Sequence, residues 1–255
     1  MELFDLSGKV AVITGSSRGI GRAIAEQMAA HGARVVISSR NQDTCDEVAE
    51  SINQTHGQGR AIAVAASISS RDALQRLVST TREQLGPIDI LVCNAASNPH
   101  YGSMDTITDE QFRKTLDNNI LSNHWLIQMA LPDMRAKHDG AVIVISSVGG
   151  LIGSSVIGTY NISKAADFQL VRNYALENGP HNIRFNAIAP AVVKTDFARA
   201  LWEDPEAYKR NVGRTPLCRL GEPDDIAGAA VFLASKAGAW MTGQAMVIDG
   251  GATIT

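Results

Sequence analysis

The sequence predicts an α/β fold: one doubly wound domain whose seven-stranded parallel sheet is covered by helices on both faces. Two observations predict it. Short β-branched runs recur along the 255 residues, and they are apolar throughout instead of alternating, as strands buried on both faces must be. Longer amphipathic segments separate them, which implies right-handed strand–helix–strand crossovers.

The strand candidates are Val10–Thr14, Arg34–Ser38, Ala61–Ala65, Ile88–Cys93, Ala141–Ser146, Ile183–Ile188 and Gln244–Ile248. Helix-period segments include Ile20–Ala30, Arg71–Gln84, Asp109–Met134, Thr159–Glu177 and Asp224–Ala234. Gly32 follows the first helix, where a glycine can take a left-handed turn. Gly86-Pro87 and Gly179-Pro180 close two more, and Pro223-Asp224-Asp225 opens another with residues that suit a helix start. Neither repeat nor linker divides residues 1–255, so a single domain is expected, with a substrate lid over about 191–214.

Composition excludes several function classes. Hydrophobic residues make up 45% and charged residues 19%, as in ordinary soluble enzymes. A formal charge of −3 with scattered Lys and Arg gives no footprint for nucleic acid or an anionic membrane. Cys45, Cys93 and Cys218 are far apart and unpaired in spacing, which argues against a disulfide framework or a zinc site. Each reads as a small, at least partly buried hydrophobe. The histidines are dispersed, so no metal is expected. The segment Met1-Glu2-Leu3-Phe4-Asp5 has no basic stretch leading into an apolar one, and no run nears the roughly 18 apolar residues of a membrane span. A cytoplasmic protein is expected.

The first strand runs into Thr14-Gly15-Ser16-Ser17-Arg18-Gly19-Ile20-Gly21, and a helix follows. Glycines there let the backbone turn sharply and approach a pyrophosphate seated on the helix N-terminus. A glycine-rich loop by itself is weak evidence; its place between strand and helix makes it a dinucleotide site, hence a Rossmann fold. Cofactor choice is read at the end of the second strand. An acid there would hold a ribose 2′-hydroxyl, but this chain has Ser39 followed by Arg40. A guanidinium pairs with a 2′-phosphate that a carboxylate would repel. Arg18 is a second cation on the same side, so the expected cofactor is NADP(H).

The Gly-x-x-x-Gly-x-Gly spacing resembles the short-chain dehydrogenase/reductase family, and the resemblance extends over essentially the whole chain. Cys93-Asn94-Ala95-Ala96 resembles the family's Asn-Asn-Ala-Gly; Asn119 matches its helix asparagine; Ser146-Ser147 closes the fifth strand. Tyr160-Asn161-Ile162-Ser163-Lys164 matches Tyr-x-x-x-Lys. Asn186 to Thr195 matches Asn-x-x-x-Pro-Gly-x-x-x-Thr, and Asp249-Gly250-Gly251 the C-terminal Asp-Gly-Gly. Asn98-Pro99 after Ala96 is similar to the NADP-dependent retinol dehydrogenase/reductase and carbonyl reductase branch. The resemblance implies cofactor contacts from Gly15, Ser17, Arg18, Gly19, Ile20, Gly21, Ser39, Arg40, Ser67, Ile68, Asn94, Ala95, Ala96, Pro190, Val193 and Thr195, joined by Tyr160 and Lys164. Three positions depart from its pattern. Ser67 stands for an aspartate, and Ala96 and Ala191 each stand for a glycine. Asn118 also occupies a place where the family prefers an apolar residue.

Tyr160 and Lys164 are four residues apart and so share a helix face. A tyrosine's pKa of about 10 is too high for proton transfer near neutrality, and the Lys164 ammonium is expected to lower it. Ser147, at the separation from Tyr160 that the family uses, can donate to the substrate oxygen; Ser146 should point to the other side. The resemblance implies that Asn119 holds a water linking Lys164 to solvent, the simpler alternative being a local break in a long helix. These four, Asn119, Ser147, Tyr160 and Lys164, are the expected catalytic set.

The expected reaction is NADP(H)-dependent interconversion of a ketone or aldehyde with its alcohol. An NAD-linked alcohol dehydrogenase and a 3-oxoacyl thioester reductase stay open, and so does a non-catalytic NADP(H) sensor. Enoyl reduction is disfavoured, because that branch of the family spaces Tyr and Lys further apart. Phe197, Leu201, Trp202 and Tyr208 in the lid, with His100 and Tyr101 opposite, fit either an apolar carbonyl substrate or simple lid packing. Leu121, Trp125, Phe168 and Leu170 exceed what one core face needs, and Met246–Ile248 adds a second apolar patch. Together with the family's habit they predict a homotetramer.

Overall fold

A computed structural model describes residues 2–254; Met1 and Thr255, the ends of the expected domain, lie outside the described residues. The strands are β1 (Val10–Thr14), β2 (Arg34–Ser38), β3 (Ala61–Ala63), β4 (Ile90–Cys93), β5 (Gly140–Ile145), β6 (Ile183–Pro190) and β7 (Ala245–Ile248). They form one sheet in the order β3-β2-β1-β4-β5-β6-β7, and every pairing is parallel. The helices are α1 (Gly19–Ala30), α2 (Gln42–His56), α3 (Arg71–Gln84), α4 (Asp109–Leu116), α5 (Ser122–Lys137), α6 (Gly158–Asn178), α7 (Pro205–Gly213) and α8 (Pro223–Ala234).

Apolar strands face two separate cores. Ile24 and Met28 of α1, Val48 and Ile52 of α2, and Ile226 and Val231 of α8 pack on one face of the sheet. Leu74 and Leu77 of α3, Leu126 and Ile127 of α5, and Val171 of α6 pack on the other. Burying such side chains contributes roughly 1.5–3 kcal/mol each. The direction of strand addition reverses between β1 and β4, which opens a crevice at their carboxyl ends. Every expected site residue but those of the helices lies at that edge.

Several expectations need correction. β3 stops at Ala63, although the Val64 and Ala66 N–H groups still donate to the Ile37 and Ser39 carbonyls, and the Ala65 N–H on the outer edge is taken by the Gln42 side chain. β4 starts at Ile90; the Ile88 N–H is taken by the Asp133 carboxylate. β6 runs on to Pro190, which ends it as a residue without an N–H can. The helix expected over Asp109–Met134 is two, split by a π-helical turn at Asp117–Leu121. Ser122 Oγ and Asn123 Nδ2 donate to the Asn118 and Asn119 carbonyls there, both at 2.6 Å, which takes up groups that the wide turn frees. Cys218 is exposed, in a left-handed turn at φ 52°, whereas Cys45 and Cys93 are buried. Phe168 lies in the chain's own core and offers nothing to a partner. Among the described residues, no helix is long and apolar enough to cross a membrane.

Candidate active site

The glycine loop is shaped by close contact. Gly15 and Gly19 have φ of +65° and +57°, values that favour glycine. A Cβ on Gly21 would lie 2.5 Å from Asn94 Nδ2 and closer still to the Gly15 carbonyl oxygen. Asn94 Nδ2 donates to the carbonyls of Thr14 (2.8 Å) and Gly15 (3.1 Å), so this residue fastens the loop to β4. Thr14 Oγ1 accepts from the N–H groups of Asn94 and Ala95 at 3.0 and 3.1 Å. Ser16, which the sequence reading did not single out, is fully buried and ties the loop to β2. Its hydroxyl donates to the Ile13 carbonyl and accepts from the Ser38 N–H. Ser17 is half-buried beside it, and Ile20 packs on the α1 side of the core. The loop is a cradle that side chains would fill, and it fits a dinucleotide pyrophosphate.

The two arginines are engaged differently. Arg18 reaches across to the lid and pairs with Asp196 at 3.1 Å. Arg40 is exposed, and among the described residues no partner engages it. Ser39 is half-buried with its hydroxyl 3.1 Å from Cys45 Sγ. A free guanidinium beside a serine suits a phosphate better than a bare ribose hydroxyl. Ser67 accepts from the Ser69 N–H at 3.4 Å, and Ile68 packs against the α3 side. Ala95 and Ala96 are half-buried at the end of β4. Pro190 is buried at the end of β6 and Val193 just past it, and the Thr195 side chain stands against Gly19.

The polar residues of the π-helical turn organise the loop after β4. Asn119 accepts from the Ser97 N–H at 2.8 Å and donates to the Ser97 carbonyl and to Ser163 Oγ, both at 3.0 Å. Asn118 donates to Ser97 Oγ (2.9 Å) and accepts from Ser69 Oγ (2.8 Å), so the departure from the family's apolar residue has a bridging role. The helix does break locally at Asn119, and the Asn119 main-chain carbonyl is engaged by Asn123.

Ser147, Tyr160 and Lys164 come together where β5 meets α6. The Ser147 hydroxyl lies near the Tyr160 phenol, and Lys164 Nζ lies 5.6 Å from the centre of its ring. Ser146 faces away, donating to the Lys164 carbonyl at 2.8 Å. Lys164 is almost wholly buried; its ammonium donates to the Ile145 carbonyl (2.8 Å) and to Asp167 (3.2 Å). Burial raises the Tyr160 pKa above its ordinary value and outweighs the ammonium, with the Asp167 charge adding to the rise. The expected lowering by Lys164 is thus present but is not the larger effect. Burial opposes the Lys164 charge, yet Asp167 and Tyr160 more than offset it and hold the ammonium's pKa up. Asp167 and Asn123 escaped the sequence reading. The one available signal was an acid one helical turn past Lys164 on α6.

The lid is a short 3-10 helix, Asp196–Leu201, followed by α7. Phe197, which is exposed, sits over Tyr160 with ring centroids 6.0 Å apart. Trp202 instead packs the lid, donating from Nε1 to the Thr195 carbonyl at 2.9 Å. Leu201 is half-buried and Tyr208 exposed. His100 turns back to the Ser103 carbonyl, at 3.0 Å, and Tyr101 is exposed.

Residues 15–253 match the family model described as Enoyl-(Acyl carrier protein) reductase. Dehydrogenase/reductase SDR family member 4 of Homo sapiens is 38% identical over 249 residues, 96% of this chain and 88% of that protein. A 7α-hydroxysteroid dehydrogenase structure complexed with NADH and 7-oxo glycochenodeoxycholic acid superimposes with a TM-score of 0.93 at 37% identity. It covers 98% of this chain and 96% of its own. A gluconate 5-dehydrogenase from Burkholderia cenocepacia J2315, in complex with NADP and tartrate, gives 0.94 at 29% identity, with 100% and 98% covered. The sheet, the cradle and the tyrosine–lysine pair define a nicotinamide-dependent oxidoreductase that works on CH–OH and C=O groups. The chain belongs to the short-chain dehydrogenase/reductase family.

Proposed function

We propose that the protein is an NADP(H)-dependent carbonyl reductase and secondary alcohol dehydrogenase, with Tyr160 as its acid/base. The observation that carries the reading is Tyr160 itself, half-buried, with the Ser147 hydroxyl near its phenol and Lys164 Nζ 5.6 Å from its ring. Hydride exchange with the carbonyl carbon is the chemistry the nicotinamide supplies when bound. Tyr160 gives its phenolic proton to the substrate oxygen in reduction and takes it back in oxidation. Ser147 donates a hydrogen bond to that oxygen and steadies its developing charge. Lys164 stabilises the phenolate, and Asn119 holds the loop after β4 and, in our reading, the water that joins Lys164 to solvent. The glycine cradle, Ser39, Arg40 and Thr195 would hold the cofactor, with Arg40 on the 2′-phosphate.

The substrate is read as a medium-sized apolar carbonyl compound. Exposed apolar side chains gather on segments fastened around the head of α6. Tyr101 and Met104 flank Gly102, which bridges to Ile157, and Ile152 accepts from Asn161 through its carbonyl. Phe197 covers Tyr160 from the lid. The test is spectrophotometric: NADPH and NADH oxidation over a panel of ketones, aldehydes, 3-oxoacyl thioesters and enoyl thioesters. Turnover of ketones or aldehydes, faster with NADPH, is expected; turnover confined to enoyl thioesters would overturn the reading.

The same reading has a cytoplasmic homotetramer. Leu170 and Tyr174 line a groove of about 510 Å³ together with His124 and Leu131 of α5. Trp125 is half-buried nearby, and Val247 of β7 is exposed. Light scattering should give four chains per particle, and a fully active monomer would overturn the assembly.

A further inference from the structure

Asp167 is an acid sealed inside the molecule. It sits one turn along α6 from Lys164, with no solvent exposure, and its Oδ2 lies 3.2 Å from Lys164 Nζ. Its Oδ1 accepts from Asn123 Nδ2 of α5 at 3.3 Å. The fold has no need of a charge here, because buried ion pairs are commonly replaced by apolar residues at no loss of stability. Yet this carboxylate has partners on both α5 and α6. Two of the three N–H donors of Lys164 are thereby committed, one to the Ile145 carbonyl and one to Asp167.

We propose that Asp167 is a positioning residue that holds Lys164 as half of a buried ion pair and sets how much of the ammonium's charge Tyr160 feels. The proposal rests on the reading of Tyr160 as acid/base. In low dielectric, a carboxylate this close cancels part of the ammonium's field at the phenol. The groups facing Tyr160 and the pair are accounted for. Ser147 and Ser146 come from the end of β5, Asn123 from α5, and Phe197 from the lid, all uncharged. Cys93, at the end of β4, faces the pair as well, and burial pushes its thiol pKa up so that it stays neutral. What remains is a triad on one helix face, Tyr160, Lys164 and Asp167, in which the acid opposes the lysine.

The test is an ultraviolet difference titration of the cofactor-free protein, with Tyr160→Phe as the baseline that isolates the Tyr160 phenol. Asp167→Asn keeps the shape and the Asn123 contact but removes the charge, so Tyr160 should ionise about one pH unit lower than in the wild type. Asp167→Glu should restore the wild-type position. A Tyr160 ionisation that stays put or moves up in Asp167→Asn overturns the proposal. Should that variant not fold, a second pair decides. Lys164→Met leaves the carboxylate alone and should raise the Tyr160 ionisation more than Lys164→Met with Asp167→Leu. Equal shifts in the two overturn the proposal. No turnover is measured, so a failure of Tyr160 as acid/base in assays would be seen separately from a failure here.

Discussion

Arg18 and Arg40 stand at the β1–β2 end of the crevice with their guanidinium groups exposed, whereas Lys164 and Asp167 lie on the buried face of α6 with almost no exposure. Water screens the first pair of charges, and an exposed bridge such as Arg18–Asp196 is worth at most about 1 kcal/mol. Exchanging that partner for a ligand's phosphate therefore costs little. The second pair is unscreened, so each member shifts the other's protonation strongly. The exposed end can trade partners and so suits cofactor selection. The buried end cannot, and it fixes the proton chemistry instead.

The largest expected effect lies at the buried end. Tyr160→Phe keeps the ring that meets Phe197 but removes the exchangeable proton, so kcat should fall by about 10²–10⁴-fold. Cofactor binding, followed by the quenching of protein fluorescence, should hold. Near-wild-type turnover in this variant would break the division of labour at its stronger half.

The exposed end should respond by a smaller factor, and in selectivity rather than rate. Ser39→Asp with Arg40→Ala removes a phosphate partner and installs an acceptor for a ribose hydroxyl. A hydrogen bond to a charged group is worth about 1.5–3 kcal/mol, so the ratio of NADPH to NADH affinity should drop by roughly 10–100-fold. An unchanged ratio would show that Arg40 does not select the cofactor. A drop seen only when Arg18 is replaced would transfer that role to the arginine now held by Asp196.

How far each end was legible in the sequence follows the same contrast. Glycine spacing, the absent acid at Ser39 and the Tyr-to-Lys interval are local patterns, and they located the cradle and the tyrosine–lysine pair. The strands were legible too, because a sheet covered on both faces leaves unbroken apolar runs. The buried network was not. Asp167, Asn123 and Ser163 meet across α5 and α6, through contacts 44 residues apart in the chain for Asn123–Asp167 and Asn119–Ser163. No spacing rule encodes such contacts. The split at Asp117–Leu121 escaped for a related reason: apolar periodicity runs through the π-helical turn, while the cause is side chains bonding to loosened carbonyls. The Arg18–Asp196 pair, 178 positions apart, likewise changes what a cation in the loop is free to do.

The smallest effect sharpens the comparison by measuring what an exposed pair is worth in this fold. Asp225 sits in the first turn of α8, which packs on the cofactor helix α1. It accepts from Arg219 at 2.6 and 2.8 Å and from the Glu222 N–H at 2.8 Å. The Arg219 guanidinium, followed by that N–H, holds its pKa down to about 2, from 3.8. A carboxylate depressed on folding adds stability above its unfolded value and loses it as the pH falls through the folded one. Solvent screens the pair, so Asp225→Asn should cost about 0.5 kcal/mol at neutral pH, or about 1–2 °C in thermal midpoint. The gap between wild type and variant should be full at pH 6 and close as the pH is lowered between 3.8 and about 2. Thermal melts of both proteins across that range give the answer. A gap of several degrees, or one that persists below pH 2, would mean that this exposed pair behaves like the buried one.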